Sequence, residues 1–145
     1  MTQIRIEIPG PPVPERKRQI RMGARAARID MPDRKRYKQH VQAAVVAQVT
    51  QDLRTALPLE GPLKVEYIFE RLQPASYPKQ PTSRFPWPEC WTGRPDLDNL
   101  EKIVTDALTD SGVWRDDAQI VEKVSVKQWG KQARTMIVIS QVEGA

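Results

Sequence analysis

Between Arg94 and Leu108 the sequence makes two demands at once. Leu97, Leu100, Ile103, Val104, Ala107 and Leu108 recur at the 3.6-residue spacing of one helical face. Asp98, Asn99, Lys102 and Asp106 fall on the opposite side. Such a helix must be packed along one stripe and open along the other, where it displays acids, an amide and a lysine. Arg94-Pro95 suits its start, because proline cannot donate a backbone hydrogen bond and restricts the residue before it. Asp96 and Asp98 stand two residues apart at the mouth of the helix, with Lys102 one turn in. A further acidic pair, in Trp114-Arg115-Asp116-Asp117, follows the turn Asp110-Ser111-Gly112.

Carboxylates crowded together repel one another, so such a set is costly unless a cation lies between them. Oxygen-rich sites with few ligands suit Mg²⁺, with Mn²⁺ able to substitute; these ions keep waters and take one or two carboxylates plus substrate phosphate oxygens. A lysine beside the site can hold a phosphate or steady negative charge developing on it. The chemistry suggested is metal-assisted attack of water on a phosphodiester. The competing reading is plain: an Asp-x-Asp near a helix start is often only a cap placed well for the helix dipole. A calcium loop fails on inspection. Counting Asp96 as its first position puts Glu101 where glycine is needed and Ala107 where the bidentate glutamate belongs.

The 145 residues fit one domain, 1–145, large enough to bury a core. There are 23 basic against 18 acidic residues, a formal net charge of +5, which is consistent with a polyanionic partner. The excess is uneven: ten Lys/Arg lie between Arg16 and Lys38, against Asp30 and Asp33 only. Arg16, Lys17, Arg18 and Arg21, with Arg94, are the candidate contacts to a phosphate backbone. In isolation the same run also reads as a solvated charged loop. The single cysteine, Cys90, leaves no internal disulfide and no cysteine-based zinc site, and the single histidine, His40, leaves no multi-histidine centre. No stretch approaches a membrane span or a secretory leader, so a cytoplasmic protein is the simplest expectation.

Taken in order, Ile4–Ile8 alternates as a strand, and Pro9-Gly10-Pro11-Pro12 ends it. The basic section to Pro32 reads as a mobile loop. Asp33 can cap a long helix running to about Leu57, with Tyr37, Val41, Val45, Val49, Leu53 and Leu57 facing the core. A second strand covers Leu63–Phe69. An irregular section, about 73–92, carries five prolines among Tyr77, Phe85, Trp87 and Trp91. It is either a flap packed on the body or a surface whose aromatics stack on unpaired bases. After the acidic helix, Ile120–Gln128 and Arg134–Val142 read as neighbouring antiparallel strands. The order β-α-β-α-β-β predicts an α+β domain, helices packed on a mixed sheet.

The runs R-P-D-L-D-N-L-E-K-I-V-T-D-A-L and S-G-V-W-R-D-D-A-Q-I-V, with the Pro9-Gly10-Pro11-Pro12 strand end, resemble the RusA family of Holliday junction resolvases. The resemblance implies a RusA-like fold and a small homodimeric, Mg²⁺-dependent endonuclease that nicks four-way DNA junctions in recombination and repair, of bacterial or phage/prophage origin. Carried over by position, the essential acids fall on Asp96, Asp98 and Asp117 and the essential lysine on Lys102; Asn99 and Asp116 match as supporting residues. The section before Asp96 is longer and richer in Pro and Trp than the resemblance predicts, and the Arg16–Arg28 run has little match. Two other readings therefore stay open: a metal-dependent nuclease acting on other branched or duplex DNA, and a non-catalytic junction-binding or phage-assembly module.

Overall fold

A computed structural model describes residues 3–14, 17–22, 25–30, 32–49, 51–78, 80, 82–84 and 90–143, and of residues 17–22, 25–30, 32, 51 and 52 the backbone. A four-stranded mixed sheet is built from β1 (Gln3–Pro9), β4 (Leu63–Leu72), β5 (Ile120–Gly130) and β6 (Arg134–Gln141), in the order β1-β6-β4-β5. A separate two-stranded sheet pairs β2 (Lys17–Met22) with β3 (Arg25–Asp30). The helices are α1 (Pro32–Gln48), the short α2 (Gln51–Thr55) and α3 (Leu97–Asp110). This is the expected α+β class.

One face of the sheet is covered. Ile4, Ile6 and Ile8 of β1 are buried while their neighbours are exposed, and Leu63, Val65, Tyr67 and Phe69 of β4 are buried in alternation with half-buried Lys64, Glu66 and Ile68. Ile137 and Ile139 of β6 join them, and α1 and α3 close the core from above with Tyr37, Val41 and Val45 and with Leu100, Ile103, Val104, Ala107 and Leu108. The stripe foreseen on α3 is therefore the packed one, with Leu97 half-buried at its end. Deep in this layer the Tyr37 hydroxyl meets Thr135 Oγ1 at 2.8 Å, and burial pushes that phenol up to about 12.

Three expectations are corrected. The basic section after Pro12 is not simply a loop, because Lys17–Met22 and Arg25–Asp30 form an antiparallel hairpin in which Met22 faces Arg25. A charged sequence hides such a pair, since its stability comes from cross-strand main-chain bonds rather than an alternating apolar face. The long helix foreseen to Leu57 is divided: α1 stops at Gln48 and α2 begins at Gln51. Val49 still faces the core, and the apolar spacing carries no record of the break.

The third correction concerns topology. β5 and β6 are not neighbours. β5 runs parallel to β4 at the sheet edge, and β6 inserts between β4 and β1, antiparallel to both. The connection 131–133 thus crosses the end of β4 instead of turning a hairpin. Gly130 leaves room there for the Glu70 side chain: a Cβ would lie 1.6 Å from Glu70 Oε1, inside the carboxylate that Arg134 Nε engages at 2.7 Å. Parallel pairing of β4 and β5 needs a crossover, and α3 supplies it.

Candidate active site

The end of α3 decides where the second acidic pair goes. Gly112 adopts φ +77°, a conformation natural to glycine, and its N–H bonds Thr109 O while Val113 N–H reaches Leu108 O at 3.2 Å. Val113 and Leu108, both fully buried, pack beneath this stop. Trp114 follows, 1% exposed, with its indole Nε1 donating to Thr109 Oγ1 at 2.7 Å. Leu59 N–H bonds Val113 O at 2.8 Å, pinning the segment to the chain before β4.

The next residues divide their labour. Asp116 caps a single 3₁₀ turn, Asp117–Gln119, accepting from Ala118 N at 2.9 Å. Gln119 Oε1 reaches back to accept from Asp116 N at 3.1 Å, and its Nε2 donates to Leu59 O and Gly61 O. Asp116 is thus engaged as a cap, and Asp117 is the member of the pair that faces the cleft beside α3. The Ala118 amide holds the Asp116 carboxyl below its ordinary value. A hydrogen bond to Asp116 pushes the Asp117 carboxyl up, and the nearby charges of Asp116 and Asp106 add to the shift.

That cleft, of about 240 Å³, is lined by Asp98, Glu101, Lys102, Thr105, Asp106, Asp117 and Lys123. The α3 members sit at i, i+3, i+4, i+7 and i+8, one helical face. A second hollow of about 330 Å³ adjoins it, sharing Glu101, Thr105, Asp117 and Lys123 and adding Tyr67. Three of the four residues assigned to chemistry, Asp98, Lys102 and Asp117, therefore meet in one place although Asp98 and Asp117 lie nineteen positions apart in the chain.

Asp96 is different. It occupies the N-cap position with extended backbone (φ −70°, ψ 153°), but its side chain makes no capping hydrogen bond. Its carbonyl, not its carboxylate, accepts the first helical bond, from Leu100 N. The carboxylate is exposed at the α3 start, outside the residues that line the cleft. Asn99 is exposed beside it and also outside the lining. Among the described residues no group of three or more His, Cys, Asp or Glu is close enough to hold a metal ion. Two carboxylates in a common cleft, here Asp98 and Asp117, are nevertheless enough for a hard cation that keeps its waters and completes its shell with phosphate oxygens.

Two cleft residues escaped the sequence reading. Glu101 is 7% exposed, an unusual burial for an acid, and it accepts from Lys123 Nζ at 2.8 Å and from the Ser125 hydroxyl. The bond to Glu101 raises the Lys123 ammonium above its ordinary pKa, and the Asp98 charge adds a smaller push. Glu101 is one helical turn past Asp98, a spacing that would have placed it on the acid face; the apolar stripe beside it masked the signal. Lys123 has no such signal, because only the β4–β5 pairing brings it under α3.

Of the candidate DNA contacts, Arg94 is exposed next to Asp96. Lys17, Arg18 and Arg21 lie on β2, their side chains outside the described residues, as Arg16 is altogether. Of the 73–92 section, Phe85 and Trp87 lie outside the described residues, whereas Tyr77 and Trp91 pack on Trp129 at 6.0 and 5.7 Å, a flap arrangement. No helix among the described residues is long and apolar enough to cross a membrane.

The fold and cleft define an α+β domain whose crossover helix carries acids and a lysine toward the parallel strand at the sheet edge. A family model described as Endodeoxyribonuclease RusA matches residues 9–140, and the chain belongs to that family. Proteins named crossover junction endodeoxyribonuclease RusA from Escherichia coli K12, Shigella sonnei and Enterobacteria phage 82 are each similar to it, 59% identical over 34 residues. That stretch is 23% of this chain and 28% of the length of each of these curated relatives.

Proposed function

We propose that this chain is a Mg²⁺-dependent endodeoxyribonuclease that resolves four-way DNA junctions by paired nicks, acting as a homodimer in recombination and repair. The observation that carries the reading is the meeting of Asp98, Lys102 and Asp117 in one cleft, within a chain of the RusA family. Asp98 and Asp117 would hold the cation, and Asp96, at the α3 start outside the cleft lining, is the third candidate ligand; Mn²⁺ is the expected substitute. When bound, the ion supplies charge neutralisation at the phosphate and a more acidic water. Lys102 presents its ammonium to the same cleft, where it binds a phosphate oxygen or steadies the leaving oxygen. Lys123, tethered by Glu101, brings a second cation to the same wall. Asp116 acts through the turn it caps, which sets where Asp117 points. A two-fold dimer offers two such clefts, as symmetric nicking requires, and Arg94 with the β2 basic residues supplies backbone contacts.

The test is cleavage of an end-labelled mobile four-way junction, with and without Mg²⁺, beside linear duplex and a flap. Paired, symmetric nicks on the junction that need Mg²⁺ support the reading. Equal cutting of duplex or flap shifts the substrate class, and tight junction binding with no nicks in any divalent ion overturns it.

A further inference from the structure

The chain just before Asp96 is gripped from below. Lys127 Nζ donates to Gly93 O at 2.8 Å and to Pro95 O at 3.1 Å, and Arg71 Nη1 reaches Arg94 O at 3.5 Å. Three consecutive carbonyls are thus held by two cations. Both cations also lie 5.4 Å from the ring of Trp91, which is 4% exposed and wedged against Trp129.

The row extends along β5. Lys123, Ser125 and Lys127 alternate on one face of the strand, and each engages α3 or its approach. Lys127 fixes the chain at 93–95 and Lys123 with Ser125 fixes Glu101, so Asp96 and Asp98 lie between two anchor points. The Asp96 carboxylate makes no cap bond, so the position of the residue rests on the backbone leading into it.

We infer that Lys127 is a positioning residue that, by holding the Gly93 and Pro95 carbonyls, fixes the chain entering α3 and with it where the exposed Asp96 carboxylate stands relative to Asp98. Arg71, also beside Trp91, supports it through the Arg94 carbonyl. The inference rests on the reading of Asp96 and Asp98 as ligands of a divalent ion. A lysine spent on main-chain carbonyls beside a cluster of acids also adds positive charge without capping any acid, so the carboxylates stay available.

Lys127→Met keeps the aliphatic stem and removes the donors; Lys127→Arg restores them; Arg71→Met, at an exposed position, removes one carbonyl contact and the guanidinium beside Trp91. Binding of Mn²⁺ alone, measured calorimetrically without DNA, should weaken about tenfold in Lys127→Met and about threefold in Arg71→Met, the range typical of residues that orient metal ligands. The half-saturating Mg²⁺ for cleavage should rise in parallel, Lys127→Arg should recover most of the loss, and metal-free junction affinity should stay within about twofold of the parent. Unchanged Mn²⁺ binding in Lys127→Met overturns the inference, as does lost junction affinity with metal binding intact. Should Lys127→Met fail to fold, Lys127→Gln, too short to reach both carbonyls, takes its place, and parental Mn²⁺ binding there overturns the inference equally. Asp98→Asn separates the two claims: if it abolishes Mn²⁺ binding while the Lys127 and Arg71 variants bind normally, only the positioning role falls. If Asp98→Asn itself binds Mn²⁺ as the parent does, the proposed metal site falls first.

Discussion

Thr109→Val removes a single hydroxyl that joins the acidic helix to the segment bearing the second acidic pair. Thr109 Oγ1 donates to Thr105 O at 3.0 Å and accepts the indole N–H of Trp114 at 2.7 Å. Trp114 is 1% exposed, so its N–H cannot turn to water when that acceptor is gone. The Thr105 carbonyl keeps its place in the helix, and valine preserves the branched shape. The loss is then chiefly one buried donor left unsatisfied, roughly 1–3 kcal/mol. At roughly 2–4 °C per kcal/mol for a chain near this size, a central value of about 2 kcal/mol lowers Tm by about 4–8 °C. Thermal unfolding followed by circular dichroism measures it, and a double-mutant cycle isolates the pair. In a Trp114→Phe background there is no indole donor to strand, so Thr109→Val should cost well under half as much. An equal cost in both backgrounds, or no fall in Tm with Trp114 present, would refute the reasoning that this bond holds the Asp116–Asp117 segment to α3.

Asp98→Asn keeps the shape of the cleft and removes a ligand charge; cleavage should fall at least about 100-fold while junction affinity by gel shift is preserved. A loss of binding with the rate per bound complex unchanged would contradict that assignment. Tyr37 and Tyr67 are both pushed up to about 12, first by burial and against the pull of bonds to Thr135 and Thr105. A folded pKa above the unfolded value of about 10 makes their contribution complete below pH 10 and lost as pH rises toward 12, about 2–3 kcal/mol each. Absorbance titration should show the Tyr37 and Tyr67 phenols ionising only on unfolding; their reversible ionisation near pH 10 in the folded protein would defeat it. Finally, junction affinity should fall steeply with salt, and Arg94→Ala should flatten the log–log slope by about one unit if its guanidinium meets a phosphate. An unchanged slope would remove Arg94 from the DNA surface.

Much of the site's parts list is readable in one dimension, because each part is a local physical pattern. The α3 stripe follows from 3.6-residue periodicity, its stop at Gly112 from the conformational freedom of glycine, and its acids from their offset to the stripe. The alternation of β1 and β4 is equally local. Pairing between distant segments is not. Sequence adjacency suggested that β5 and β6 were partners, yet α3 is a crossover that lays β5 parallel to β4, so β6 enters from the other side. That one choice puts Lys123, Ser125 and Lys127 beneath the acidic helix, where no spacing rule announces them. It also separates Asp116 from Asp117, identical in type and adjacent in the chain, one turned to cap an amide and the other to the cleft. Local energies wrote the residues and their elements; the close packing of strands decided which charges share a wall, because only burial and contact across the fold distinguish a partner from a neighbour in sequence.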